Sequence, residues 1–396
     1  MYISKRAQLI GSSSTLAINA KVKKLKQKLV DIVNFGVGEP DFNTADNVKN
    51  SAIRAINENF TKYCPVAGTL EIKNSIINKF KRDNKLNYSH EEIIVSNGAK
   101  HSLYNFFQSV IDPGDEVIIP APYWVSYPDM VILAGGKPVI VRTDEKTNFK
   151  ITSADIEKVL TSKTKVVVIN SPSNPTGFAY TVEELKAIGQ TCVKNKLLIV
   201  SDEIYEKFVY DDFKFTSIAK ISPNIKKITT VVNGVSKTYS MTGWRIGYAA
   251  GAKDIIEAMT KIQSQSTSNA SSISIKAAIE ALDGTQEYVE SMRNEFKNRR
   301  NYLVERLNAI KNVICIKPKG AFYIFLNIKT FLGRNFSGKI INTDVEFANY
   351  LLDVAKIAVI PGSAFGIDGY IRFSYAVSMG DIKKGIDRLE KILTHT

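Results

Sequence analysis

Lys237 lies in the stretch Ser236-Lys237-Thr238-Tyr239-Ser240-Met241-Thr242-Gly243-Trp244-Arg245, directly after an apolar run and eight positions before an arginine. An amine beside a guanidinium at a strand end suits a phosphorylated aldehyde, because the amine can condense with the carbonyl while the guanidinium takes the phosphate. A lysine in water is mostly protonated and a poor nucleophile, with a pKa of about 10.4. Burial or a neighbouring cation must lower that value before it can act. Two upstream apolar runs end in the same way. Val166 to Ile169 leads into Asn170-Ser171-Pro172-Ser173-Asn174-Pro175-Thr176-Gly177, and Leu197 to Val200 leads into Ser201-Asp202-Glu203-Ile204-Tyr205. Three buried strands thus deliver polar groups to one sheet edge, beyond the carboxyl ends where parallel sheets bind ligands.

Lysine condensed with an aldehyde is the chemistry of pyridoxal 5′-phosphate held as a Schiff base, and that cofactor makes three more demands. Its phosphate needs donors, its ring nitrogen needs a carboxylate, and its ring needs lateral positioning. Arg245 and Ser236 are candidates for the phosphate, Asp202 for the ring nitrogen and Tyr205 for the ring oxygen. Ser96-Asn97-Gly98-Ala99-Lys100 opens a helix, so the backbone amides of Ala99 and Lys100 would point at the phosphate from its positive end.

The elements that must position these groups are legible in outline. From about residue 90 to 235, short apolar runs alternate with helix-period segments, the pattern of an α/β layer with a mostly parallel sheet. Leu103, Phe106, Phe107 and Val110 keep helical spacing after Gly98, and Thr181 with Glu184 forms a capping box. Beyond Gly284 a long charged helical segment, Gln286 to about Lys311, leads to alternating strands at Ala321–Phe325 and Ile371–Tyr375. With 396 residues, two domains are expected: a large one over 46–285 and a smaller α+β one over 286–396. The segment 1–45 is too short to fold alone and is expected to pack on the smaller domain, with the site in the cleft between.

Composition excludes several other classes of function. The net charge of +14 raises nucleic acid as a partner, with Lys21, Lys23, Lys24, Lys26 and Lys28 close together. Val22, Leu25 and Leu29 recur through that run at i, i+3 and i+7, however, which makes it an amphipathic helix with a solvated lysine face. No nucleic-acid partner is expected. No apolar stretch approaches the ~18 residues that span a bilayer, and the first residues lack the apolar core of a signal peptide. A cytoplasmic location with no membrane partner is the expectation. Cys64, Cys192 and Cys315 form no C-x-x-C pair, and three dispersed histidines suit no His-rich metal centre, so no metal is expected.

Seven stretches, spread in order over essentially the full length, resemble the class I (fold-type I) pyridoxal-phosphate aminotransferases, and most of all the bacterial aspartate aminotransferase branch. They are Gly36-Val37-Gly38-Glu39-Pro40-Asp41-Phe42, Lys62-Tyr63 with Pro65-Val66-Ala67-Gly68, Pro122-Tyr123-Trp124-Val125-Ser126-Tyr127-Pro128, Ser171–Gly177, Ser201–Tyr205, the Lys237 segment, and Arg372. The resemblance implies that Trp124 stacks on the cofactor ring and that Asn174 bonds the ring oxygen and the substrate carboxylate. It further implies that Gly38 borders the substrate and that Arg372 clamps the α-carboxylate. A homodimer with shared sites is implied as well, Tyr63 matching a tyrosine that reaches the neighbouring subunit's phosphate. Cys64 departs from the small polar residue or alanine usual there. Read without the resemblance, Arg372 lies opposite an apolar strand face of Ile371, Phe373 and Tyr375 and would be a solvated surface arginine.

In this branch a lysine at the position of Lys100 reads the distal carboxylate of dicarboxylic substrates, with small hydroxyl residues matched here by Ser13 and Thr15. The expected reaction is therefore transamination between aspartate or glutamate and a 2-oxo acid, 2-oxoglutarate or oxaloacetate, through a Lys237 Schiff base. Lysine at this position also occurs in relatives that accept prephenate, which leaves a prephenate, aromatic or broader specificity open. A β-lyase on the same scaffold and a catalytically silent relative are the rivals.

Overall fold

A computed structural model describes residues 2–11 and 14–394. Its centre is a seven-stranded sheet in the order Ile93–Ser96, Gly247–Ala250, Thr229–Gly234, Leu198–Asp202, Thr164–Asn170, Glu116–Ala121, Lys137–Arg142. All neighbours run parallel except those of Gly247–Ala250, which is antiparallel to both strands beside it. The fold is α/β with a mostly parallel sheet, as the alternating pattern predicts.

The near-continuous apolar runs are explained by burial on both faces. Val166, Val168, Val200 and Val232 pack with Leu103, Phe106 and Phe107 of the helix Ala99–Val110 on one side. Val167, Ile169 and Ile199 pack with Leu185 and Ile188 of the helix Val182–Lys194 on the other. Each such fully buried aliphatic side chain contributes about 1.5–3 kcal/mol. The capping box is formed: Glu184 N donates to Thr181 Oγ1 at 3.3 Å, and Thr181 N donates to Glu184 Oε2 at 2.8 Å. That cap starts the helix directly after the polar Ser171–Gly177 loop.

A second core gathers Met292 and Phe296 of the helix Glu287–Ala309 with an antiparallel sheet of Ile360–Pro361, Tyr370–Ser374 and Tyr323–Asn327. Near the N-terminus, Val33–Asn34 pairs in parallel with Ile357–Ala358, and Val22 and Ile32 pack with Leu352 and Ala358. The lysine-rich helix Ser14–Gln27 ends before the third residue of its expected stripe. Leu29 takes a left-handed conformation (φ 59°) and is 95% exposed. Val30 N turns back to Leu25 O at 3.2 Å, so Val30 takes the inward place in a C-terminal cap. Among the described residues no helix is long and apolar enough to cross a membrane.

Candidate active site

The three polar loops do meet. A 390 Å³ cavity at the carboxyl ends of the parallel strands is lined by Gly38, Ala99, Lys100, Trp124, Asn174, Asp202, Tyr205, Ser236, Lys237, Arg245 and Arg372. Register explains the convergence. Val167–Asn170 pairs with Ile199–Asp202, and Ile199–Asp202 pairs in turn with Thr229–Val232, so all three strands deliver their loops at one level.

Asp202 ends its strand and is 5% exposed. Tyr127 donates its hydroxyl to Asp202 Oδ2 at 2.7 Å, and Ile204 N donates to Oδ1 at 3.3 Å. Burial pushes the carboxyl up to about 6, and these two donors and Lys237 restrain the rise. Lys237 Nζ donates to Gly38 O at 2.6 Å. Its pKa falls to about 8, through desolvation first, with Glu39 opposing and Arg245 and Arg372 assisting. The condition that a nucleophilic lysine needs is met here mainly by burial.

Arg372 is 3% exposed, which corrects the solvated-surface expectation. Alternation rightly turns it away from Ile371 and Phe373, but the face it turns to is covered by other elements. Its guanidinium carbon lies 4.5 Å from the Tyr323 ring centroid and 5.1 Å from that of Phe365. Two of its nitrogens donate to Asn174 Oδ1 at 2.9 Å and Gly36 O at 2.8 Å, while Nε is buried with no partner. A buried, charged donor left open is able to take an anion. Tyr205 shares a 2.8 Å hydrogen bond with the Tyr323 hydroxyl.

A second anion cradle lies at the start of the helix Ala99–Val110. Gly98 has φ 87°, and a Cβ there would lie 2.4 Å from an Arg245 nitrogen. A Cβ on Gly247 would lie 2.1 Å from Ala99 N. Glycine at both positions lets Arg245 and the free helical amides come together. Arg245 itself is left-handed (φ 58°), a strained conformation for a side-chain-bearing residue, and donates to Thr242 O at 2.8 Å and Asn97 O at 3.3 Å. Lys100 lines the cavity while remaining exposed, its Nζ 4.9 Å from the Trp124 ring centroid. Partial burial and then Arg245 lower its pKa, and Asp129 opposes the shift.

Three expected residues are not in this group. Tyr63 is 91% exposed and outside the cavity lining. Ser13 lies outside the described residues, as does the side chain of Thr15. Sequence reasoning gives no role to Tyr127 or Tyr323, which hold Asp202 and Tyr205; Tyr127 sits inside the matched Pro122–Pro128 stretch, where its proximity to Trp124 is the signal that could have found it.

The sequence pattern of the family "Aminotransferase class I and II" matches residues 30–389. The chain belongs to that family. A probable aspartate/prephenate aminotransferase of Rickettsia conorii is 51% identical over 99% of this chain and 98% of its own length. The aspartate aminotransferase of Geobacillus stearothermophilus is 50% identical over 99% of each. Among solved structures, the aspartate aminotransferase of Rhizobium meliloti superposes with a TM-score of 0.96 at 42% identity, covering 100% of this chain and 99% of that one. The Thermus thermophilus aspartate aminotransferase with maleate gives 0.94 at 39% identity, covering 99% and 100%. This aminotransferase therefore shares both sequence and fold with the aspartate branch along its whole length.

Proposed function

We propose that this aminotransferase transfers the amino group of aspartate or glutamate to a 2-oxo acid, using pyridoxal 5′-phosphate carried on Lys237. The observation that carries the reading is the meeting, in one cavity, of a desolvated lysine, a buried carboxylate and a buried arginine with an open donor. When bound, pyridoxal 5′-phosphate supplies an electron-poor ring that draws electron density from the substrate Cα and a carbon that holds the amino group between substrates.

The chain's own residues fit that group. Arg245, Ser236 and the amides of Ala99 and Lys100 would hold the phosphate. Asp202, fixed by Tyr127, would face the ring nitrogen, and a cation there would draw its carboxyl back into the ionised range. Tyr205 and Asn174 would hold the ring oxygen, and Trp124 would cover the ring. Arg372 would take the substrate α-carboxylate, and Gly38 borders the same space. Lys237 Nζ would take up the Cα proton of the bound substrate, since its low pKa keeps a neutral amine accessible near pH 8.

Lys100 would read the distal carboxylate, with Ser13 and Thr15 nearby. The Thermus relative with maleate, a four-carbon dicarboxylate, supports a dicarboxylic substrate. Prephenate is a second reading, favoured by the name of the Rickettsia relative. The proposal includes a cytoplasmic homodimer in which Tyr63 serves the partner's site, in keeping with the exposure of Tyr63, Ile53, Ile56 and Leu70. It also keeps the division into 1–45, 46–285 and 286–396. A panel of amino acids added singly to the cofactor-loaded protein tests the reading. Aspartate and glutamate should convert the bound cofactor to pyridoxamine phosphate fastest; release of pyruvate and ammonia without amino transfer would indicate a β-lyase instead.

A further inference from the structure

Behind the cavity floor lies a polar cluster that amino transfer does not use. Glu203 and Glu206 flank the same short segment as Asp202 and Tyr205, yet they are 1% and 5% exposed and do not line the cavity. One lysine lies by the two carboxylates and, of the two, contacts only Glu206. Lys79 Nζ is ion-paired with Glu206 and donates to Asn84 Oδ1 at 2.7 Å, and Asn84 Nδ2 donates to the other Glu206 oxygen at 2.7 Å. Glu206 is thereby satisfied as an anion.

Glu203 has no cation in contact. Its Oε1 accepts from Ser201 Oγ at 2.9 Å and from Ser217 Oγ at 2.7 Å, while Oε2 is buried without a partner. An anion in that position would leave one charged oxygen bare and desolvated beside a second carboxylate. A protonated carboxyl fits the same contacts. Oε1 acts as a carbonyl with both lone pairs used, and Oε2 becomes a hydroxyl donor. The Tyr88 hydroxyl, also buried and without a partner, lies within electrostatic reach of Glu203.

We propose that Glu203 is a positioning residue that works as an uncharged acid, fastening the Ser201–Glu206 segment from behind so that Asp202 and Tyr205 are held in the cavity. The fastening joins distant pieces. Through Ser217 it ties the strand end to a loop fourteen residues on, and Glu203 N donates to Val232 O of the neighbouring strand at 2.9 Å. The titratable groups around it are Glu206 on its own segment, Lys79 at the end of the helix Leu70–Lys79, and Tyr88 ahead of Ile93–Ser96; Tyr248 faces Glu206 from Gly247–Ala250. In agreement, burial and then Glu206 push the Glu203 carboxyl up to about 8, against the two serines and Lys79.

A group that ionises at about 4.5 when unfolded and about 8 when folded makes the native state lose stability as pH rises between those values. Glu203→Gln keeps the shape and does not titrate. Its melting temperature relative to wild type should therefore climb by several degrees from pH 5 to pH 8; a constant or falling difference overturns the proposal. Should the amide variant not fold, Ser217→Ala removes a donor that favours the anion and should move the alkaline loss of stability to higher pH, an unmoved loss counting against it. Positioning has its own readout in the Ile204 amide, which bonds Asp202. Its hydrogen exchange should quicken at least tenfold in Glu203→Ala and stay near wild type in Glu203→Gln; equal rates in the two variants would show that no uncharged latch exists.

Discussion

The floor of the cavity and its rim are held by different kinds of contact. At the floor, Asp202, Asn174, Tyr205 and Arg372 are each at most 6% exposed, and each is tied to another group: Tyr127, Tyr323 and Asn174, all buried, or the half-buried Asn170. At the rim, Lys100 is exposed and lies over Trp124, and Arg245 hangs from two backbone carbonyls. A floor fixed in this way keeps donors and charges in place before substrate arrives, which is where preorganised electrostatics act most strongly. A loosely tied rim can change its partner without disturbing that geometry. On the proposed reading, chemistry belongs to the floor and the choice of substrate to Lys100 at the rim.

Replacing Arg372 by lysine breaks the floor. The ammonium cannot reproduce the fork that bonds Asn174 and Gly36, and loss of a buried hydrogen bond made by a charged group costs about 2 kcal/mol or more. Efficiency with aspartate, measured as kcat/KM, should fall roughly thirtyfold or further; a drop within about threefold would place Arg372 outside substrate binding.

Lys237 gives an effect of similar size, on stability. Its folded pKa of about 8 lies below the ordinary lysine value of 10.5, so the charged form is strained in the fold below pH 8 and the strain vanishes above 10.5. Cofactor-free Lys237→Met should be more stable than wild type at pH 7, by up to about 3 kcal/mol. Urea unfolding should show the gap closing as pH rises from 8 toward 10.5, and a gap independent of pH would contradict the desolvation.

The smallest effect sharpens the contrast at the rim. Lys100→Ala should lower the ratio of aspartate to alanine efficiency about tenfold while turnover of alanine stays close to wild type. An unchanged ratio would remove Lys100 from substrate selection.

Much of the floor is legible in the amino-acid sequence. Apolar runs ending in Lys237, Asp202 and Asn174 name the strands, and the two-residue period tells which way Arg372 faces. What the period cannot tell is what covers that face: Gly36 lies 336 positions away, and Tyr323 and Phe365 arrive from other elements. Tyr127 is hidden for the same reason, since its bond to Asp202 spans 75 positions. At the N-terminal helix, spacing promises an inward Leu29, but a left-handed turn hands that place to Val30, and nothing local in Lys28-Leu29-Val30 announces such a turn in a residue other than glycine. Glu203 stands out in the sequence only as part of a matched stretch, because its surroundings come from Lys79, Tyr88 and Ser217.

The central claim, that Lys237 carries pyridoxal 5′-phosphate at the head of this cavity, is tested most directly by loading the protein with the cofactor, reducing it with borohydride and mapping the labelled peptide. One phosphopyridoxyl group per chain, on Lys237, is the expected result. A protein that takes up no cofactor, or a label on another lysine, would contradict it.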